Sequence, residues 1–226
     1  MKRSTRSMII AGIFIVAILS VCAFAVIYHA AAPLAQRQDK KSFATNENVN
    51  IQASTFNGNV EIRSTTGSQI EVIYNVTATE GYLNDIKTSA NETRTTNLTT
   101  ITAKALLQVN QASDYAANLV IYLPSTGRYN LTLTTTNGNV DIQVDNCGEI
   151  NAMSMNGNVK IGLTQGALFQ VAASVANGNI THQGITLDAE TDTATRLKGT
   201  TSGGEGNLVL TLMSGNGNIA IEYLTP

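Results

Sequence analysis

Five times this chain spells Asn-Gly-Asn followed by Val or Ile, beginning at Asn57, Asn137, Asn156, Asn177 and Asn216. Asn137, Asn156 and Asn177 follow one another at about 20 residues, while Asn57 and Asn216 stand about four and about two such intervals away, and a period of this length marks a repeat architecture. Glycine reaches positive φ without steric cost and asparagine is the next most tolerant residue there, so Gly58, Gly138, Gly157, Gly178 and Gly217 each centre a bend. Either side of the bend the apolar residues alternate. Leu131, Leu133 and Thr135 precede Asn137 on one face, and Val140, Ile142 and Val144 follow it; Val159, Ile161 and Leu163 repeat the pattern after Asn156.

A single Asn-Gly between strands reads as a two-residue hairpin. Five copies at a near-constant interval favour a β-solenoid of about 20 residues per coil, with a hairpin meander or sandwich as the alternative. In a solenoid, equivalent strands stack about 4.8 Å apart, and equivalent Asn side chains can hydrogen-bond along the stack. The fold class expected is therefore all-β. At about 20 residues per coil, ~9 coils are expected.

The N-terminus is different. Met1 to Ser7 holds Lys2, Arg3 and Arg6 and no acid, and Met8 to Tyr28 is uncharged and apolar. At 1.5 Å per residue that run is about 31 Å long, enough to cross a hydrocarbon core of about 30 Å. A cleaved signal peptide has an apolar region of only about 7–15 residues, and Pro33 directly behind Ala30-Ala31-Ala32 is a poor start for a mature chain. Residues 8–28 are thus expected to be one transmembrane signal-anchor helix. Residues 1–7 would then form a cytoplasmic tail, 29–45 a polar linker and 46–226 an extracellular domain. The cations nearest the apolar run place the N-terminus inside. Asn-x-Ser/Thr acceptors at Asn75, Asn91, Asn97, Asn130 and Asn179 all follow the apolar run, which suits a glycoprotein domain outside the cell.

The formal net charge is −2, but six of the 14 cations precede residue 42, so the remainder carries about −7. Nucleic-acid binding needs a basic surface, and this sign is wrong for it. Cys22 lies in the anchor and Cys147 stands alone beyond it, so no disulfide is expected within the domain; Cys147 reads as buried, with an intermolecular disulfide as the alternative. Leu83 to Lys104 is the least apolar stretch and reads as longer loops or exposed edge strands. Ala117 to Pro124 is a near-continuous apolar run, as in a strand buried on both faces. Leu187 to Thr201 interrupts the repeats, and Gly206 to Leu210 resembles a worn copy of one.

Catalytic chemistry finds little support. His182 is the one firm candidate base beyond the anchor, and no partner for it is legible. Zinc would have only Cys147 and His182 as soft ligands. Gly203-Gly204-Glu205-Gly206 lacks the Lys and Ser/Thr of a phosphate loop and reads as a turn. Asp188, Glu190 and Asp192 share a strand face by their spacing and form a weak candidate calcium cluster, against a solvated acidic loop; Asp141 and Asp145 are a weaker version. Paired carboxylates of this kind also leave a polysaccharide-cleaving enzyme as an alternative, although Trp is absent and aromatics are 5%. No cofactor is expected.

The order of these words resembles the DUF4097 family of putative adhesins. The likeness is carried by Asn57 to Ile62, by Leu119 to Pro124, and by the Gly-centred repeats Thr136 to Ile142, Met155 to Ile161 and Ala176 to Ile180. The closing segment Leu197 to Ile221 completes it, so that it spans about Asn46 to Tyr223. Asn-Gly-Asn stands here where relatives often have Ser-Gly-Asp or Asn-Gly-Asp. The resemblance implies a β-solenoid-like envelope domain without established catalytic residues. The function expected is thus a membrane-anchored, non-enzymatic adhesion, binding or structural module facing an envelope or cell-surface component. An envelope-stress sensor is the alternative; it would need a membrane partner packing on residues 8–28.

Overall fold

The computed structural model describes residues 34–45, 48–96, 98–107, 115–144, 146–202 and 206–224. The expected cytoplasmic tail and anchor, with Asn97, Asp145 and Gly203 to Glu205, lie outside the described residues. Among the described residues, no helix is long and apolar enough to cross a membrane.

Alternating apolar residues and recurring glycine bends yield strands throughout. In chain order they are β1 (Leu34–Ala44), β2 (Asn48–Asn57), β3 (Val60–Thr65), β4 (Gln69–Thr79), β5 (Ile86–Arg94), β6 (Thr99–Leu107), β7 (Tyr115–Pro124), β8 (Arg128–Asn137) and β9 (Val140–Gln143). There follow β10 (Cys147–Asn156), β11 (Val159–Leu163), β12 (Phe169–Asn177), β13 (Ile180–Gln183), β14 (Leu187–Asp192), β15 (Arg196–Thr201), β16 (Leu208–Asn216) and β17 (Ile219–Tyr223). One short 3₁₀ helix, Glu80–Asp85, joins β4 to β5.

The strands form two open, mixed sheets, ordered β1-β4-β7-β3-β9-β11-β17-β13 and β14-β15-β12-β16-β10-β8-β2-β6-β5. We call them the first and second sheets. Each Asn-Gly-Asn bend carries the chain from the second sheet to the first: β2 to β3, β8 to β9, β10 to β11, β12 to β13 and β16 to β17. Successive levels then run parallel and in register; Val159 of β11 lies between Val140 of β9 and Ile219 of β17, and Asn156 lies between Asn137 and Asn216. Together with β6–β7, which occupies a level of its own beside β2–β3, the described residues make six levels where the sequence suggested about nine.

The core lies between the sheets. Val60, Val140, Val159 and Ile219 form one fully buried row, and Ile62, Ile142, Ile161 and Ile221 form the next. Facing them, the row Ala103, Ala53, Leu133, Ala152, Leu212 and Ala173 mixes small and large side chains, the pattern by which two inner faces interdigitate.

Chain order and stacking order differ. Asn57 sits directly against Asn137, and β16–β17 is inserted between β10–β11 and β12–β13. The long sequence intervals are therefore not runs of intervening coils, as the spacing suggested. Apart from the level β6–β7, they are occupied by antiparallel strands that extend the ends of the stack: β4 on β7, β5 on β6, and β15 and β14 on β12.

Several local expectations change with this order. The polar linker expected over 29–45 is, from Leu34 on, the edge strand of the first sheet, beside β4. Ala117 to Pro124 is not buried on both faces; Leu119 and Ile121 are fully buried while Val120 and Tyr122 stay half-exposed, because no covering layer lies on the outer face of this sheet among the described residues. Leu208 to Leu210 is no worn copy but the start of the strand leading into Asn216. Cys147 is half-buried, not buried.

Candidate functional site

The five bends form one column in the spatial order Asn57, Asn137, Asn156, Asn216, Asn177. Each side chain donates from Nδ2 to the Oδ1 of the preceding one: Asn137 to Asn57 at 2.7 Å, Asn156 to Asn137 at 2.8 Å, Asn216 to Asn156 at 2.8 Å and Asn177 to Asn216 at 2.7 Å. Beside it runs a second row. The Oδ1 atoms of Asn59, Asn139, Asn158 and Asn218 accept from the backbone N–H of Asn139, Asn158, Asn218 and Asn179 at 2.7–3.0 Å. The column explains the glycines as well. Their φ values are +146 to +155°, and a Cβ at Gly157 would stand 1.9 Å from the carbonyl oxygen of Gly138.

The structure adds two features that the sequence reading missed. Two residues before each of four bends stands a buried hydroxyl that donates to a backbone carbonyl of the neighbouring level: Thr135 to Gly58 at 2.8 Å, Ser154 to Gly138 at 2.8 Å, Ser214 to Gly157 at 2.9 Å and Thr55 to Ala117 of β7 at 3.0 Å. In the fifth word the position is Val175. The signal was present as Ser/Thr-x-Asn-Gly-Asn. The second feature lies within β7, where Asn118 Oδ1 accepts from the Asn59 N–H at 2.8 Å and so extends the second asparagine row by one level without a glycine.

The acidic candidates do not converge. Asp188 accepts from Ser202 Oγ at 3.1 Å, Glu190 pairs with Lys198 Nζ at 2.5 Å, and Asp192 meets His182 Nε2 at 3.1 Å. A register shift between Ala189 and Thr191 breaks the shared face that the spacing implied. Among the described residues, no group of three or more His, Cys, Asp or Glu could hold a metal. Glu61 and Asp141, register partners on the first sheet, both bind Arg63 Nη2, at 3.1 and 2.9 Å. His182 also lies 3.2 Å, through Nδ1, from the Ile185 carbonyl, so it ties an edge strand to the following hairpin. Of the acceptor asparagines, Asn91, Asn130 and Asn179 are exposed and Asn75 is half-buried, taking a hydrogen bond from Gln38 at 2.8 Å.

The two outer faces differ in chemistry. The first sheet carries ion pairs, Arg63 with Asp141 and Lys160 with Glu222 at 2.7 Å, and the hydrogen bond that Lys160 donates to the Glu222 carboxylate raises the Lys160 pKa. The second sheet presents Thr132, Thr211 and Asn151, and among them Met153, Met155, Met213 and Val209 stand exposed. Met153 and Met213 are register neighbours. Beside them runs a shallow groove along β12, of about 350 Å³, floored by Ala172. It has Met213 and Thr211 on one bank and Arg196 and Lys198 on the other. The groove exists because β12 turns small side chains outward between two strands with long ones.

No family model matches the chain, and no curated protein matches it significantly. Among solved structures, a "putative cell adhesion protein" from Clostridium sporogenes is similar with TM-score 0.59 and 12% identity, over 84% of this chain and 100% of that one. A "putative adhesin" from Bacteroides fragilis covers 83% of this chain and 97% of its own at TM-score 0.31 and 14% identity. The first likeness shows a shared fold; the second is too distant to carry an argument.

Proposed function

We propose that this chain is a non-enzymatic adhesion or binding module of the cell surface, a β-solenoid tethered by residues 8–28 with its N-terminus inside and the domain outside. The resemblance to DUF4097 adhesins and the fold shared with the Clostridium protein support the reading. So does the in-register stacking of bends, which suits a rigid display surface. The contact surface is the outer face of the second sheet. The observation that carries this assignment is the set of exposed apolar side chains Met153, Met155, Met213 and Val209, standing among Thr132, Thr211 and Asn151 beside the groove banked by Arg196 and Lys198. Methionine is flexible and polarizable, and it recurs where a surface must adapt to a partner.

The test uses cells displaying the full chain. Met153→Lys together with Met213→Lys changes only exposed side chains and should leave far-UV circular dichroism unaltered. Attachment to partner cells or immobilised envelope polysaccharide should fall about tenfold. Equal attachment by the variant would move the contact surface elsewhere, and equal attachment by cells lacking the protein would end the adhesion reading.

A further inference from the structure

We infer that Asn177 is a site of spontaneous covalent modification, deamidating through a succinimide, while the other four Asn-Gly pairs are held inert by the column they build. Asn-Gly is the dipeptide in which backbone attack on the side-chain amide is least hindered, because glycine offers no Cβ. The chain carries five such pairs, and on sequence alone they are equivalent. The structure makes them unequal.

The attacking atom is the glycine nitrogen, and its availability differs from level to level. The N–H of Gly58 donates to the Asn137 carbonyl at 2.9 Å, that of Gly138 to Asn156 at 3.0 Å, that of Gly157 to Asn216 at 2.8 Å and that of Gly217 to Asn177 at 2.9 Å. Each of these protons must leave its acceptor before the nitrogen can react. Gly178 occupies the last level of the column, and among the described residues its N–H has no backbone acceptor. Exposure follows the same order. Gly58 is buried, Gly138, Gly157 and Gly217 are half-buried, and Gly178 is exposed. Among the described residues, the Asn177 side chain is held from one side alone, by its bond to Asn216, whereas Asn137, Asn156 and Asn216 are each held from both. An end level also opens locally more often than an interior one.

The step balances without any further reagent than water. Hydroxide removes the Gly178 amide proton and the nitrogen attacks Asn177 Cγ. The new C–N bond closes the ring, the Cγ–Nδ2 bond breaks, and Nδ2 departs as ammonia after taking a proton from water. Water then opens the ring at either carbonyl, leaving aspartate or isoaspartate at position 177. Either product removes the Nδ2 donor that reaches Asn216 and sets a carboxylate against the Asn216 Oδ1, so the outermost rung of the column is lost.

The full chain in detergent is incubated at mildly alkaline pH, and the five Asn-Gly peptides are followed by mass spectrometry, with isoaspartate separated from aspartate by retention. Asn177 is expected to convert at least about tenfold faster than Asn57, Asn137, Asn156 or Asn216. In denaturant all five should convert at comparable rates. Conversion of an interior pair as fast as Asn177 in the folded chain overturns the inference. Persistence of Asn177 under conditions where the denatured chain reacts also overturns it.

Discussion

The Asn177 side chain donates to the Asn216 side chain across 2.7 Å, although 39 residues separate them in sequence. The strand pair that ends the chain is thereby seated inside the stack, and the pair that precedes it, β12–β13, is displaced to the end. Stability in a stacked repeat is nearly a sum of neighbouring interfaces, so removing a terminal coil usually shortens the stack and leaves the rest intact.

Here the last coil in sequence is an interior one. Deleting residues 207–226 would remove the level to which both β10 and β12 pair. Hydrogen exchange should then show loss of protection throughout β12–β15, and thermal unfolding should broaden. A truncated chain that keeps those strands protected would show that β12 can re-pair directly with β10.

The bend glycines and the glycine of the 3₁₀ helix stand in opposite surroundings. Gly157→Ala forces a Cβ to within 1.9 Å of a backbone carbonyl at φ +153° and should cost at least about 2–3 kcal/mol. Gly81→Ala has nothing within 4 Å and no positive φ, so it should change stability by less than about 1 kcal/mol in either direction. Chemical denaturation of the two variants side by side separates crowding in the column from the general effect of losing a glycine.

The buried hydroxyl row gives a matched pair of substitutions. Thr135→Val keeps the shape and strips the Gly58 carbonyl of its donor inside the core, and should destabilise by about 1–3 kcal/mol. Val175→Thr introduces the hydroxyl at the fifth word, opposite the Gly217 carbonyl, and should gain up to about 1 kcal/mol. Opposite signs in urea titrations support the row as a repeat element; equal signs would reduce it to side-chain volume.

What the sequence disclosed was local. A glycine between two asparagines needs no distant partner to become a bend, and the alternation around Leu131 and Val140 names the buried face by itself. The order of levels was hidden, because placing Asn57 against Asn137 depends on β4 and β5 extending the stack ends as antiparallel strands. Leu34–Ala44 was illegible as a strand for a related reason: Phe43 is its one buried side chain, so the edge it forms has almost no apolar pattern. The groove over Ala172 needed the register of three strands before its banks could be named, and a run such as Phe169 to Asn177 carries no trace of what will stand beside it.

Alkali should find the weak point of the core at Tyr129. Its hydroxyl donates to the Pro124 carbonyl at 2.8 Å, and burial, with the neighbouring Cys147 charge, pushes its pKa up to about 12. An unfolded tyrosine ionises near about 10, so between those values the unfolded chain has lost a proton that the folded chain still holds. Stability is unaffected by this group below about pH 10 and declines above it, by about 1.4 kcal/mol per pH unit, until the folded group ionises as well. Tyr74, also buried and donating to the Ser89 carbonyl at 2.6 Å, is raised in the same sense and adds to the slope. Tyr129→Phe should cost about 1–2 kcal/mol at neutral pH through the lost hydrogen bond, yet flatten the alkaline decline by close to one proton. Urea midpoints measured from pH 8 to 12 would reveal it, and an unchanged slope in the variant would place the alkaline sensitivity on another group.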